Sequence, residues 1–226
     1  MPVTNAVVGE GTWDPLDGRD PVTAVTDSDT DIIQARSLAI QKSQVAVVDA
    51  GVAGPTPDDI YEFTLNVQVS DYFTFGDLVV TDVLGNGWEY IADSASFTFA
   101  EESNSLGTTS LTPFEVTTVD GPSGTTTNVW DLSAAMLANG DDGLLTGDVA
   151  GDGVSSATST TLQITYRAQI LEAYPGAVAG TPALSQGDVL SNNVTVSGSV
   201  RDNAAPATTI GTEDDTSGTE ISIPIG

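Results

Sequence analysis

The chain has 226 residues, enough for one large β-sandwich or two small domains, and its 39% hydrophobic content is sufficient for a packed core. Its 32 acidic residues stand against 5 basic ones with no histidine, a net charge of −27, which leaves nothing to neutralise phosphate and excludes nucleic acid and anionic membranes as partners. Cysteine is absent, which removes disulfides, thiolate metal sites and a thiol nucleophile.

No apolar run approaches the roughly 20 residues that cross a bilayer, so direct membrane insertion is not expected. No basic start followed by an apolar stretch marks a leader, and an exported parent protein would carry its signal outside these residues. In chain order, residues 3–14 come first and resemble residues 190–202: placing Asn5 on Asn192 aligns an apolar-x-Asn-x-Val core. Each copy then runs into a polar Pro/Thr/Asp stretch, Pro21–Asp31 in front and Pro206–Asp215 behind. Residues 1–36 are therefore expected to be the terminal strand and linker of a preceding repeat, or an exchangeable arm. Such an arm would complete a neighbouring copy by strand addition or fold back on its own module.

From residue 37 onward the pattern is that of strands. Leu38, Ile40 and Lys42 share one parity, and Tyr61, Phe63, Leu65, Val67 and Val69 form an unbroken period-2 face. Further strands are expected over Leu78–Leu84, Ser96–Phe99, Phe114–Val119, Thr161–Leu171 and Val189–Val200, separated by Gly, Pro, Asp and Ser clusters such as Gly85-Asn86-Gly87. One short helix fits Leu132–Leu137. This composition of elements predicts an all-β, immunoglobulin-like antiparallel β-sandwich of Greek-key type over 37–202, with one short helix, extended terminal arms and an acidic linker or tail at 203–226.

The order of five pieces resembles a family. Lys42 on a first strand is followed by Tyr61-Glu62-Phe63-Thr64-Leu65-Asn66-Val67, then by Leu78-Val79-Val80-Thr81-Asp82-Val83-Leu84. Val129-Trp130-Asp131-Leu132 and Leu190-Ser191-Asn192-Asn193-Val194-Thr195-Val196 complete the series. It is similar to the DUF11-type repeats and the fimbrial isopeptide-forming D2 domains of bacterial surface proteins, except for a long insertion between the helix and the Thr161 strand. The resemblance implies an extracellular, cell-surface role in stalks, pili or adhesins, built from neighbouring copies of the same module, and in some members a Lys–Asn isopeptide cross-link.

The residues can be read for that chemistry directly. Lys42 is the sole lysine, and its parity with Leu38 and Ile40 turns it toward the core. Asp82 shares parity with Val80 and Leu84, and Asn192 with Leu190, Val194 and Val196. Burial would neutralise the amine as a nucleophile and keep the acid protonated, so that it can polarise the asparagine carbonyl; collapse with loss of ammonia would leave a covalent bridge. The plainer arrangement is an uncondensed Lys42–Asp82 pair with Asn192 as its hydrogen-bond partner.

Acidic residues gather in the N-terminal arm, in the glycine-rich loop 139–153 and in the C-terminal tail. No cofactor is required, but Asp141, Asp142, Asp148 and Asp152 are the candidate ligands if the loop wraps calcium, although the EF-hand spacing and its closing glutamate are missing. Turnover chemistry is not expected, because histidine, cysteine, a nucleophile elbow and a phosphate loop are all absent. A calcium-dependent carbohydrate- or ligand-binding adhesin module is the competing reading, and it would need an exposed aromatic such as Trp88.

Overall fold

A computed structural model describes residues 2–13, 23–34, 37–51, 54–70, 73–101, 105–147, 160–176, 182–202 and 204–224. The chain divides into two compact units, Met1–Arg36 and Ser37–Gly226.

The first unit is a hairpin of β1 (Pro2–Trp13) and β2 (Thr23–Gln34), paired antiparallel with Asn5 opposite Asp31. The Pro21–Asp31 stretch expected as linker is thus mostly strand.

The second unit begins with β3 (Leu38–Val48), β4 (Ile60–Val69), β5 (Thr74–Leu84), β6 (Trp88–Tyr90), β7 (Ser96–Ala100) and β8 (Ser105–Ser110). It continues through β9 (Glu115–Asp120), β10 (Thr125–Asp131), α1 (Leu132–Ala138), β11 (Leu145–Thr146), β12 (Thr161–Ile170), β13 (Val189–Asp202) and β14 (Ala205–Ser222). One sheet runs β14-β13-β5-β10-β9, with β11 also on β5; the other runs β3-β4-β12-β7-β8, with β6 also on β12. The pairings are antiparallel, and successive strands such as β4 and β5, or β12 and β13, lie in opposite sheets. The fold is an immunoglobulin-like β-sandwich of Greek-key type, with one short helix.

Alternation builds the core. Phe63, Leu65 and Val67 of β4 face Leu78, Val80 and Leu84 of β5 across the sandwich, while Leu162, Ile164, Tyr166, Ala168 and Ile170 line β12 and Leu190, Val194 and Val196 line β13. Trp88 and Trp130 are both interior, at 2% and 0% exposure. The helix starts where the Asp131 carboxylate accepts the Ala134 N–H (2.9 Å). Its Ser133 hydroxyl accepts from the Leu78 N–H and donates to the Gly143 carbonyl, tying helix and following loop to β5.

Residues 203–226, expected as a tail, instead supply β14, which pairs with β13 along nearly its whole length. Its alternate side chains reach across to the other sheet. Glu213 accepts from the Ser37 hydroxyl and N–H, Asp215 from the Ile40 N–H (3.0 Å), and the Ser217 hydroxyl from the Lys42 N–H (3.1 Å). These outward N–H groups of edge strand β3 would otherwise lack a partner strand. β14 therefore closes the seam between the two sheets with polar side chains, which is why its sequence shows no apolar alternation until Ile221.

Candidate functional site

The seam places β3 beside the β13–β14 hairpin, and there the three sequence-identified residues converge. Lys42 opposes Leu65 on β4, Asp82 opposes Val194 on β13, and Asn192 opposes Leu84 on β5. Asp82 and Asn192 are therefore diagonal neighbours on adjacent strands, an arrangement that sets such residues about 7–8 Å apart across the ladder. Two short side chains at that spacing need something between them.

Tyr166 of β12, from the opposite sheet, supplies it. Its hydroxyl donates to Asp82 Oδ1 (2.8 Å) and accepts from Asn192 Nδ2 (2.7 Å). The other carboxylate oxygen, Oδ2, pairs with the Lys42 ammonium. The result is one chain of contacts, Lys42–Asp82–Tyr166–Asn192, drawn from four strands and both sheets. The side chains of Lys42 and Asp82 are 0% exposed, and Tyr166 and Asn192 are as deeply buried.

Aromatic rings wall the cluster. The Phe63 and Tyr166 rings are stacked, 5.1 Å apart at 13°, and the Lys42 amine lies 5.2 Å and 5.5 Å from their centroids. Trp130 tilts against Tyr166 at 5.2 Å. Its indole N–H and the Tyr90 hydroxyl both donate to Glu115 Oε2, fixing that side of the wall.

This environment moves the ionisation equilibria toward neutrality. Burial pulls the Lys42 amine down to about 8, against the pull of Asp82 in the other direction. Burial pushes the Asp82 carboxyl up, opposed by Lys42 and by the hydrogen bonds it accepts. Burial also raises the Tyr166 phenol well above its usual range, so it stays a hydroxyl and a donor. Burial thus favours the neutral forms of the amine and the acid beside the Asn192 amide.

Two polar groups at the site escaped the sequence reading. Tyr166 carries the parity of Leu162, Ile164 and Ala168, and a lone phenol in an apolar row is the available signal. Asn128 of β10 lies directly opposite Asp82, is 0% exposed, and accepts the Thr117 hydroxyl at Oδ1 (2.8 Å). Asn128 Nδ2 and Asn192 Oδ1 are buried without a hydrogen-bond partner among the described residues.

Of the candidate calcium ligands, the structure describes Asp141 and Asp142. Asp141 accepts the Gly143 N–H (3.0 Å) and Asp142 the Leu144 N–H (2.9 Å), which are turn-forming roles. Asp148 and Asp152 lie outside the described residues. Among the described residues no group of three or more metal-type ligands gathers. No helix among them is long and apolar enough to cross a membrane.

No family model matches the chain, and no curated protein matches it. Among solved structures it is similar to the collagen-binding domain of the Erysipelothrix rhusiopathiae surface protein RspB, at 12% identity and a TM-score of 0.36, covering 96% of this chain and 59% of that one. It is also similar to the major pilin subunit BcpA of Bacillus cereus, at 12% identity and a TM-score of 0.41, covering 96% and 48% of the two chains. The pilus backbone protein RrgB of Streptococcus pneumoniae matches at 14% identity and a TM-score of 0.39, over 71% of this chain and 31% of that one. The chain thus spans 59% of the RspB domain structure and about half of the BcpA structure.

Proposed function

We propose that this chain is a non-enzymatic structural module of an extracellular bacterial stalk, filament or adhesin, locked by an amide bond between Lys42 and Asn192. The observation that carries the reading is the buried Lys42–Asp82–Tyr166–Asn192 cluster, which joins the first strand of the sandwich to β13. A sole lysine, fully buried in a chain with 32 acidic residues, is an expensive choice for an ordinary core. A covalent bond would remove both the charge and the cost. It would also give a cysteine-free domain the cross-link that a disulfide supplies elsewhere.

In the reaction the neutral Lys42 amine attacks Cγ of Asn192, the C–Nδ2 bond breaks, and ammonia leaves. The fold supplies the effective concentration, so no enzyme is needed. Intact mass of the purified chain under denaturing conditions tests this: a deficit of one ammonia is expected, and it should vanish in Lys42→Ala and in Asn192→Ala. A wild-type chain at its full sequence mass would sink the proposal.

The partners in this reading are neighbouring copies or repeats of the same module. The β1–β2 hairpin supports it, because its pairing of Asn5 with Asp31 parallels that of Asn192 with Thr219 in β13–β14. With Asn5 set on Asn192 and Asp31 on Thr219, Gly11 falls on Gly198, Asp27 on Asp215 and Ile33 on Ile221. A hairpin of this kind is marginal on its own and suited to completing another module.

The carbohydrate-binding alternative has less to stand on. Trp88 and Trp130 are core residues, and the exposed large hydrophobics of the described structure are aliphatic. The groove of about 360 Å³ on the β3-β4-β12 sheet is lined by Gln41, Asn66, Gln68 and Thr161 among others, without an aromatic platform.

A further inference from the structure

We propose that Tyr166 is the proton relay of the amide exchange, carrying the proton lost by Lys42, by way of Asp82, to the departing nitrogen of Asn192. This rests on the amide-forming reading above and adds to it a residue and a direction of proton flow.

The need for a relay follows from stoichiometry. A neutral amine holding two protons becomes an amide N–H holding one, and the leaving NH₂ becomes NH₃. One proton must therefore travel from Nζ to Nδ2. Asp82 alone is poorly placed to carry it, because it is the diagonal neighbour of Asn192 and its Oδ2 already faces Lys42. The pocket is closed to bulk water, with all four side chains buried.

Tyr166 fills the gap at both ends with ordinary hydrogen-bond lengths, 2.8 Å to Asp82 Oδ1 and 2.7 Å to Asn192 Nδ2. It meets the amide at the nitrogen, the side that leaves, while Asn192 Oδ1 has no hydrogen-bond partner among the described residues. Before attack, Nδ2 is planar and donates to the phenol oxygen. After attack, Nδ2 is pyramidal and gains a lone pair, so the hydroxyl can turn and donate to it. Tyr166 gives its proton to Nδ2 and takes one from Asp82 Oδ1, and Asp82 Oδ2 takes one from the attacking nitrogen. The C–Nδ2 bond breaks as ammonia forms, and Asp82 and Tyr166 end in the protonation states in which they began. Stacking on Phe63 and the tilt of Trp130 hold the ring while this happens.

The test follows ammonia loss by intact mass over time after cell-free synthesis of the full chain. Wild type, Tyr166→Phe, Asp82→Ala and a chain with 3-fluorotyrosine at position 166 alone are compared. Tyr166→Phe keeps the stacked ring, and a folded variant, judged by far-UV circular dichroism and a cooperative unfolding transition, should convert about 100-fold more slowly than wild type. Conversion of folded Tyr166→Phe at the wild-type rate would overturn the relay while leaving the cross-link intact. If Tyr166→Phe does not fold, the fluorinated chain decides, since it keeps size and hydroxyl but has a more acidic phenol. Faster conversion supports proton donation by Tyr166, and an unchanged rate overturns it. Absence of ammonia loss from wild type would instead remove the cross-link itself, and the relay with it.

Discussion

The Asp215 carboxylate of β14 accepts the main-chain N–H of Ile40 on β3 (3.0 Å), so a side chain from one sheet does the work of a missing strand in the other. Glu213 and Ser217, two residues to either side, treat Ser37 and Lys42 in the same way. Replacing Asp215 by Ala should orphan the Ile40 amide and cost about 1–3 kcal/mol in denaturant unfolding. Native-state hydrogen exchange would localise the effect, with Ile40 and Lys42 amides losing protection before those of β4. Unchanged protection at Ile40 would contradict the seam.

Acid should open the same seam. Burial raises the Glu213 carboxyl, donation from the Ser37 hydroxyl and N–H lowers it, and the group ends below its ordinary value of 4.5. A carboxyl depressed in the folded state contributes stability that is present above its unfolded value and lost as pH falls through the folded one. Stability should therefore drop below about pH 4.5 less steeply in Glu213→Gln than in wild type. Equal slopes for the two chains would show that Glu213 does not report the seam.

The buried amine gives a pH dependence of the same sign, in an alkaline window, in a chain that cannot cross-link. In Asn192→Ala, Lys42 sits at about 8 folded against 10.5 unfolded, chiefly through burial. The unfolded chain then binds more protons across this window, so stability should rise between about pH 8 and 10.5 and be flat just below it. Adding Lys42→Met to that background should abolish the rise. It should also cost about 3–5 kcal/mol at neutral pH, by leaving the Asp82 charge without its partner.

Which amide the proposed bond would use is open to direct reading. Asn128 and Asn192 are both buried beside Asp82 on the same sheet, but only Asn192 is engaged through Tyr166. Tandem mass spectrometry of proteolytic fragments should find Lys42 joined to the peptide holding Asn192. A Lys42–Asn128 link would reverse the assignment.

Charge sets a last expectation. With 32 acids against 5 bases, at least 27 carboxylates lack a basic partner of their own, and Arg167–Glu62 and Arg201–Asp77 are the exposed ion pairs described. Folding brings these charges together, so added salt should raise the melting temperature as the Debye length shrinks from about 30 Å at 0.01 M to about 8 Å at 0.15 M. A salt-independent melting temperature would contradict this.

Much of this architecture is legible in the residues because the core obeys a strict period of two. Tyr61 to Val69 alternates in sequence and in burial, and the parity that turns Lys42, Asp82 and Asn192 inward is the parity seen in the structure. β14 was hidden for a physical reason: its inward side chains are carboxylates and hydroxyls serving the backbone of β3, so no apolar rhythm marks it. Tyr166 was hidden for the opposite reason, since a phenol inside an apolar row reads as packing until its hydroxyl is seen between two polar neighbours. The interior position of Trp88, which the competing carbohydrate-binding reading needed exposed, depends on edge-on packing against Tyr61 and Phe63 that no local pattern encodes.

Lys42 is the fifth residue of β3 and Asn192 the fourth of β13, so an amide between them sits near the entry of one strand and the start of a long hairpin. Pulling on such a module would route force through that bond and past everything between residues 43 and 191. The remainder of β13 and all of β14 would lie downstream, held by hydrogen bonds and by the packing of Val194, Val196, Val200 and Ile221. They would peel first, releasing on the order of 100 Å of slack at roughly 3.3 Å per residue, and would zip back once the load fell. The closing hairpin would then act as a reusable shock absorber in series with a rigid block.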